Sequence, residues 1–408
     1  MGPSGLSRRE FFRRGAAACS IPTVLGLGWS SFGELGTGSP SPNSSAGAPV
    51  TNTTFAGDMG VSTGRAGAKA AAREVPWLAE IQRRPERLPA KAPQLSPLLI
   101  GDAGRAITNL PAWEAKRERL RRWWLDFLKL WQVERKEPPR LELVAEDRPD
   151  GAVRQLVRYE VEPGLPVEGY VLKPARLAGR APGVVVLHST VKESIRQPAG
   201  VEGAPEKAFG LALARRGCVT ICPRNFLWPE TTRMATDVTV KQLNQRHPGA
   251  KGMAKMLYDA VIALDILAAL PEVDPARLGA VGHSLGAKES LYLAAFDGRV
   301  RVAVSSEGGI GTRFSNWDAP WYLGPEIRSP TFAHEHHELL ALVAPRPFLL
   351  LGGDSADGDQ SWPFIEAVLP VYRLYGGTPR VGLFNHRKGH AVPPEAERRI
   401  YEWFEAYL

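Results

Sequence analysis

The chain has 408 residues, enough for two or three units, although a single α/β domain commonly exceeds roughly 200. Hydrophobic residues make up 44% and charged residues 23%, a globular balance that excludes wholesale disorder and collagen-like or coiled-coil architecture. Net charge is +8, of which residues 1–33 supply +3 through four arginines and one glutamate; the remaining +5 is too small to signal nucleic-acid binding. There are three cysteines, and Cys218 and Cys222 stand four apart in a strand-like run. That separation is roughly 13 Å in an extended chain, beyond disulfide reach.

In chain order, Ser7-Arg8-Arg9-Glu10-Phe11-Phe12-Arg13 precedes a mostly apolar stretch over 15–27. Residues 1–35 resemble a twin-arginine export signal, which implies a periplasmic or extracellular destination. The apolar run is too short and glycine-rich for a span, so no stable membrane insertion is expected after processing. Residues 36–72 are rich in Gly, Ser, Thr, Pro and Asn and read as a disordered linker. A helical extension is expected over 73–150. Within it, Trp113, Leu120, Trp123, Trp124, Phe127, Leu128 and Trp131 recur at three- and four-residue spacing, predicting an amphipathic helix over 112–131 whose aromatic stripe packs into a core.

From 151 to 408 the pattern turns to strands. Segments 154–161 and 169–173 alternate and read as antiparallel, whereas 183–187 is a continuous apolar run of the kind buried on both faces in parallel sheets. Further strands are predicted at 218–222, 278–282, 300–305, 347–351 and 380–384, with helices such as 253–270 between them. The fold class is therefore α/β, with a mostly parallel sheet flanked by helices.

The chemistry centres on Gly282-His283-Ser284-Leu285-Gly286, which follows a short buried strand and opens a helix-forming run. A serine at the apex of a sharp strand-to-helix turn is exposed at a helix N-terminus, and the glycines let strand and helix approach. The Leu285 N–H then points where a tetrahedral oxyanion would form. This motif in its βα succession resembles the α/β-hydrolase fold, and more narrowly its dienelactone hydrolase-like and acetylxylan esterase-like branch. Residues 185–190, Pro198-Ala199-Gly200, the loop over 316–323 and Ala344-Pro345-Arg346-Pro347 carry the narrower resemblance.

In that fold the order is nucleophile, acid, base. Two histidines follow the last strand, and Lys388-Gly389-His390-Ala391-Val392-Pro393 resembles the loop that holds the base, which favours His390 over His386. The acid belongs at a strand end, where it fixes the imidazole tautomer. In the run from Gly352 to Asp359 the candidates are Asp357 and Asp354. Related glucuronoyl esterases can carry their acid after an earlier strand, and Glu307 stands in such a place, as third candidate or pocket residue. The second oxyanion donor is expected after Leu187, at Ser189 or Thr190, beside His188.

His334-Glu335-His336-His337-Glu338 lacks zincin spacing, and no catalytic metal is expected. No cofactor is expected either. Trp228, Trp317, Trp321 and Trp362 are candidate sugar-facing walls, or core. The resemblance implies an exported serine esterase acting on a small-molecule or carbohydrate ester, acetylated or uronoylated. A peptidase on the same fold and a non-catalytic ligand-binding protein are the alternatives. Absence of propeller repeats disfavours the first, and a full nucleophile, acid and base set disfavours the second.

Overall fold

The computed structural model describes residues 74–101, 104–131 and 137–408; the export signal and the linker read from the sequence lie outside these. The strands are β1 Glu142–Asp147, β2 Ala152–Glu162, β3 Leu165–Pro174, β4 Ala181–Leu187, β5 Val219–Pro223, β6 Val273–His283, β7 Val300–Ser306, β8 Phe348–Gly352 and β9 Val381–Asn385. They form one nine-stranded sheet in the order β1-β2-β3-β5-β4-β6-β7-β8-β9. The β1–β2, β2–β3 and β3–β5 pairs are antiparallel; every pair from β5–β4 to β8–β9 is parallel. Each predicted strand overlaps one of these elements, and those predicted at 218–222, 347–351 and 380–384 run one residue later. One further strand, β1, lies inside the segment read as a helical extension, so the sheet begins at Glu142, ahead of residue 151.

The burial of each strand follows its place. Central β4 (APGVVVL) is buried along nearly its whole length, since helices cover both faces of the parallel part. Edge strand β1 (ELVAED) is exposed throughout and carries three acidic residues, which discourage pairing with another chain.

The helices are α1 Leu78–Ile81, α2 Leu110–Leu128, α3 Phe209–Arg215, α4 Thr236–Arg246, α5 Gly252–Ala269, α6 Leu285–Phe296, α7 His337–Val343, α8 Trp362–Leu374 and α9 Pro394–Tyr407. Helix α6, which opens at the Gly282–Gly286 motif, is buried at every position, including Lys288, Glu289 and Ser290. Helix α2 is the predicted aromatic helix. It starts where the Asn109 side chain accepts the Ala112 N–H at 3.0 Å, with Pro111 in the first turn, and stops at Lys129 in left-handed backbone. Its Trp113 and Trp124 are fully buried, and each finds a polar partner: Trp113 Nε1 donates to the Tyr375 hydroxyl at 3.1 Å and Trp124 Nε1 to Glu338 Oε2 at 2.8 Å. The stripe therefore packs the extension onto the sheet domain. Among the described residues, no helix is long and apolar enough to cross a membrane.

Candidate active site

All the parallel strands run in one direction, so their C-terminal ends form one rim, and the sequence-predicted chemistry lies there. Strand β6 ends at His283, Ser284 follows with φ 61° and ψ −112°, and α6 begins at Leu285. A β-carbon at Gly282 would overlap the Gly286 backbone, and one at Gly286 would overlap the Leu187 carbonyl. Only glycine at both positions lets α6 rise this close to β6 and to the end of β4. Positive φ at a serine is strained and persists only where the surroundings enforce it. Here the Ser284 N–H donates to the Ser306 carbonyl at 2.8 Å, holding the turn against β7.

Glu307 follows β7 with φ 55° and its side chain is fully buried. One carboxylate oxygen accepts the Gly353 N–H; the other accepts the Ala356 N–H at 2.7 Å and lies 3.2 Å from His390 Nδ1. His390 is partly open to solvent, with 27% of its side chain exposed, and its loop rests on the turn after β8: Gly389 N–H donates to the Gly353 carbonyl at 2.7 Å and His386 N–H to the Gly352 carbonyl at 2.8 Å. With Nδ1 donating to Glu307, Nε2 is the acceptor nitrogen, the tautomer a general base requires.

The two aspartates are engaged elsewhere. Buried Asp357 accepts Gly309 N–H at 2.6 Å, Ile310 N–H at 2.8 Å and the Ser361 hydroxyl at 2.8 Å, so it ties the loop after β7 to the start of α8. Burial pushes its carboxyl up to about 6, helped by the negative charge of Glu307. Half-exposed Asp354 accepts from the Asn385 side chain at 2.7 Å and pairs with Arg387. His386 accepts the Lys388 N–H on Nδ1 at 3.1 Å.

Ser189 lies beside the nucleophile turn: its hydroxyl donates to the His283 carbonyl at 3.2 Å. Behind it runs a chain that sequence reasoning missed. His188 Nδ1 donates to the Ser189 carbonyl at 2.8 Å, His188 Nε2 accepts the Asn225 N–H at 3.1 Å, and the Asn225 amide donates to Glu289 at 3.0 Å. Burial holds His188 neutral, down at about 4, and pushes the Glu289 carboxyl up to about 8. Glu289 stands five residues past Ser284 on α6, a helix with every position buried.

Of the four candidate sugar walls, Trp228, Trp317 and Trp362 are buried and Trp321 is partly exposed. Trp317 Nε1 donates to the Gly309 carbonyl at 2.6 Å, and the Lys288 ammonium lies 4.1 Å from its ring centre. In the His334–Glu338 run, His336 bridges the Ile310 carbonyl (2.7 Å) and the Tyr292 hydroxyl (3.0 Å), while His334 pairs with Glu338 and His337 reaches the Ser96 carbonyl. Their nitrogens point to separate partners, and among the described residues no group of three or more His, Cys, Asp or Glu side chains is arranged to hold a metal.

A mostly parallel sheet, an elbow serine after the central strand and a histidine loop after the last strand define the α/β-hydrolase fold, and this chain has it. Solved structures bear this out at the level of fold. A glucuronoyl esterase from Solibacter usitatus superposes with a TM-score of 0.58 at 18% identity, covering 78% of this chain and 98% of that one. A CE15 glucuronoyl esterase from Teredinibacter turnerae gives 0.55 at 20%, covering 75% and 88%. An acetyl xylan esterase from Paenibacillus sp. R4 gives 0.50 at 18%, covering 81% and 99%. A curated relative, YtaP of Bacillus subtilis, provisionally named a hydrolase, is 26% identical over 251 residues, 57% of this chain and 82% of that protein. No family model matches the chain.

Proposed function

We propose that the chain is a serine-dependent carboxylic ester hydrolase with Ser284 as nucleophile, His390 as base and Glu307 as acid. His390 Nε2 takes the Ser284 proton as Oγ bonds to the ester carbonyl carbon, and the carbonyl oxygen becomes an alkoxide. The Leu285 N–H at the head of α6, with a donor from the loop at Ser189, stabilises that charge. Collapse breaks the ester C–O bond, and His390 returns the proton to the departing alcohol. Water then repeats the sequence on the acyl-serine and releases the carboxylic acid. Glu307 stays ionised throughout and balances the imidazolium.

The observation that carries this reading is the 3.2 Å contact between His390 Nδ1, on the loop after β9, and Glu307, which follows β7 beside the strained Ser284 turn. It replaces the sequence-based preference for Asp357 or Asp354 as the acid. The names of the structural neighbours support acetylated or uronoylated carbohydrate as substrate class, and the twin-arginine pattern at Arg8 and Arg9 supports export. The buried Trp317 and Trp362 serve as supports for the site rather than as sugar platforms.

The test is hydrolysis of p-nitrophenyl esters of increasing chain length, together with an alkyl glucuronate ester and acetylated xylan, by the wild type and Ser284→Ala. Turnover that disappears in a folded Ser284→Ala establishes the esterase, and the preferred ester fixes the substrate class. Undiminished turnover in that variant would sink the mechanism. Cell fractionation of the full chain and of an Arg8→Lys, Arg9→Lys double variant tests export.

A further inference from the structure

His283 is the residue between Gly282 and the nucleophile, a position the mechanism above does not use. It is 1% exposed and touches every part of the proposed machinery. Its Nδ1 lies 3.0 Å from Ser306 Oγ on β7, one residue before Glu307. The hydroxyl of Ser189, in the oxyanion loop, donates to its carbonyl. Its ring centre is 4.7 Å from that of His390, at 52°. The buried imidazole also donates to the His390 backbone, a second link to the base loop.

We propose that His283 is a positioning residue, holding the His390 ring against Glu307 and tying the base loop to the nucleophile turn and the oxyanion loop. The inference rests on the catalytic roles proposed for Ser284, His390 and Glu307. Leucine or valine would fill the same space but reach neither the Ser306 hydroxyl nor the His390 backbone, so the imidazole serves something other than packing. The Ser306 contact fixes the ring plane, and the fixed ring forms one wall for His390.

The groups facing His283 are Ser306 and Glu307 from β7, His386 and His390 from the base loop, and Lys207, whose ammonium lies 3.5 Å from the His390 carbonyl. Burial, then the neighbouring His390 and Lys207 cations, hold His283 well below the usual imidazole range. It is therefore neutral when His390 carries the proton, and does not repel the imidazolium. It also covers one face of the His390 ring.

The experiment compares wild type with His283→Ala, His283→Asn and His283→Phe, each checked for folding by circular dichroism and thermal melting. The readouts are ester kinetics and the downfield NMR resonance of the His390 Nδ1–H in its bond to Glu307, assigned through His390→Ala. Expected are a kcat about 100-fold lower in His283→Ala with KM within about threefold, loss or broadening of the Nδ1–H resonance in that variant, and partial recovery of both in His283→Asn. A folded His283→Ala or His283→Phe with an unchanged Nδ1–H resonance overturns the proposal, including where activity falls only as far as melting temperature does. If the wild type hydrolyses no ester, the catalytic reading fails, yet the resonance still decides whether His283 positions His390.

Discussion

His283 of β6 faces Ser306 of β7 in register, and the next residue on each strand, Ser284 and Glu307, leaves the sheet in left-handed backbone at φ 61° and 55°. The proposed nucleophile and acid thus depart from one level of adjacent strands. The Ser284 N–H is held by the Ser306 carbonyl and the Glu307 N–H by the Leu351 carbonyl at 2.9 Å. The strain is local, and the sheet bears it.

That strain predicts a difference between two inactive variants. Ser284→Ala keeps a β-carbon at positive φ, whereas Ser284→Gly relieves it at some entropic cost in the unfolded chain. Ser284→Gly should be more stable than Ser284→Ala by about 1 kcal/mol in urea unfolding. A lower midpoint for the glycine variant would show that the backbone here is not strained.

Glu307 and Asp357 separate by kinetics. Glu307→Gln loses the charge beside His390 and places an amide N–H against the Gly353 or Ala356 N–H, so it should lower kcat by about 10³ to 10⁴ and cost about 2 kcal/mol of stability. Asp357→Asn places an amide N–H against the Gly309 or Ile310 N–H, and should cost a similar amount, about 2 kcal/mol, with a far smaller effect on kcat. The reverse pattern would make Asp357 the acid.

Glu289 predicts a pH dependence. Its folded carboxyl titrates at about 8 because burial opposes the charge, against 4.5 when unexposed surroundings are absent. Between these values the unfolded chain has released a proton that the folded chain retains, so rising pH favours unfolding through that window and the loss is complete above about 8. Glu289→Gln cannot ionise and keeps an acceptor for Asn225. It should match the wild type near pH 5 and exceed it by on the order of 2 kcal/mol above pH 8, read from urea melts across pH. Parallel stability curves for the two proteins would exclude a protonated Glu289.

Trp124 predicts the cost of unpairing the extension. In Trp124→Phe the buried Glu338 loses its indole donor and a cavity opens, so stability should fall by about 2 to 3 kcal/mol without a change in KM. Thermal melts and Michaelis kinetics check both halves.

The strands and the mostly parallel sheet were legible because buried parallel strands and a GxSxG turn have strong local signatures, as did the packing role of the α2 tryptophans; the strand order was not. The acid was harder to read. Asp354, Asp357 and Glu307 all follow buried strands, and spacing along the chain does not say which carboxylate turns toward the last loop. What separates them is three-dimensional: Asp357 is taken by Gly309 and Ile310 from another loop, while Glu307, at positive φ, reaches His390. The tryptophans were open between sugar-facing walls and core for a similar reason. A loop tryptophan such as Trp317 points inward when a carbonyl such as that of Gly309 meets its N–H.

Gly353 gives its N–H to Glu307 and its carbonyl to Gly389, so a single peptide turn grips the acid with one hand and the base loop with the other. A β-carbon there would overlap the Gly389 carbonyl. The proposed acid and base therefore share one anchor, so a change in the β8 turn reaches both at once.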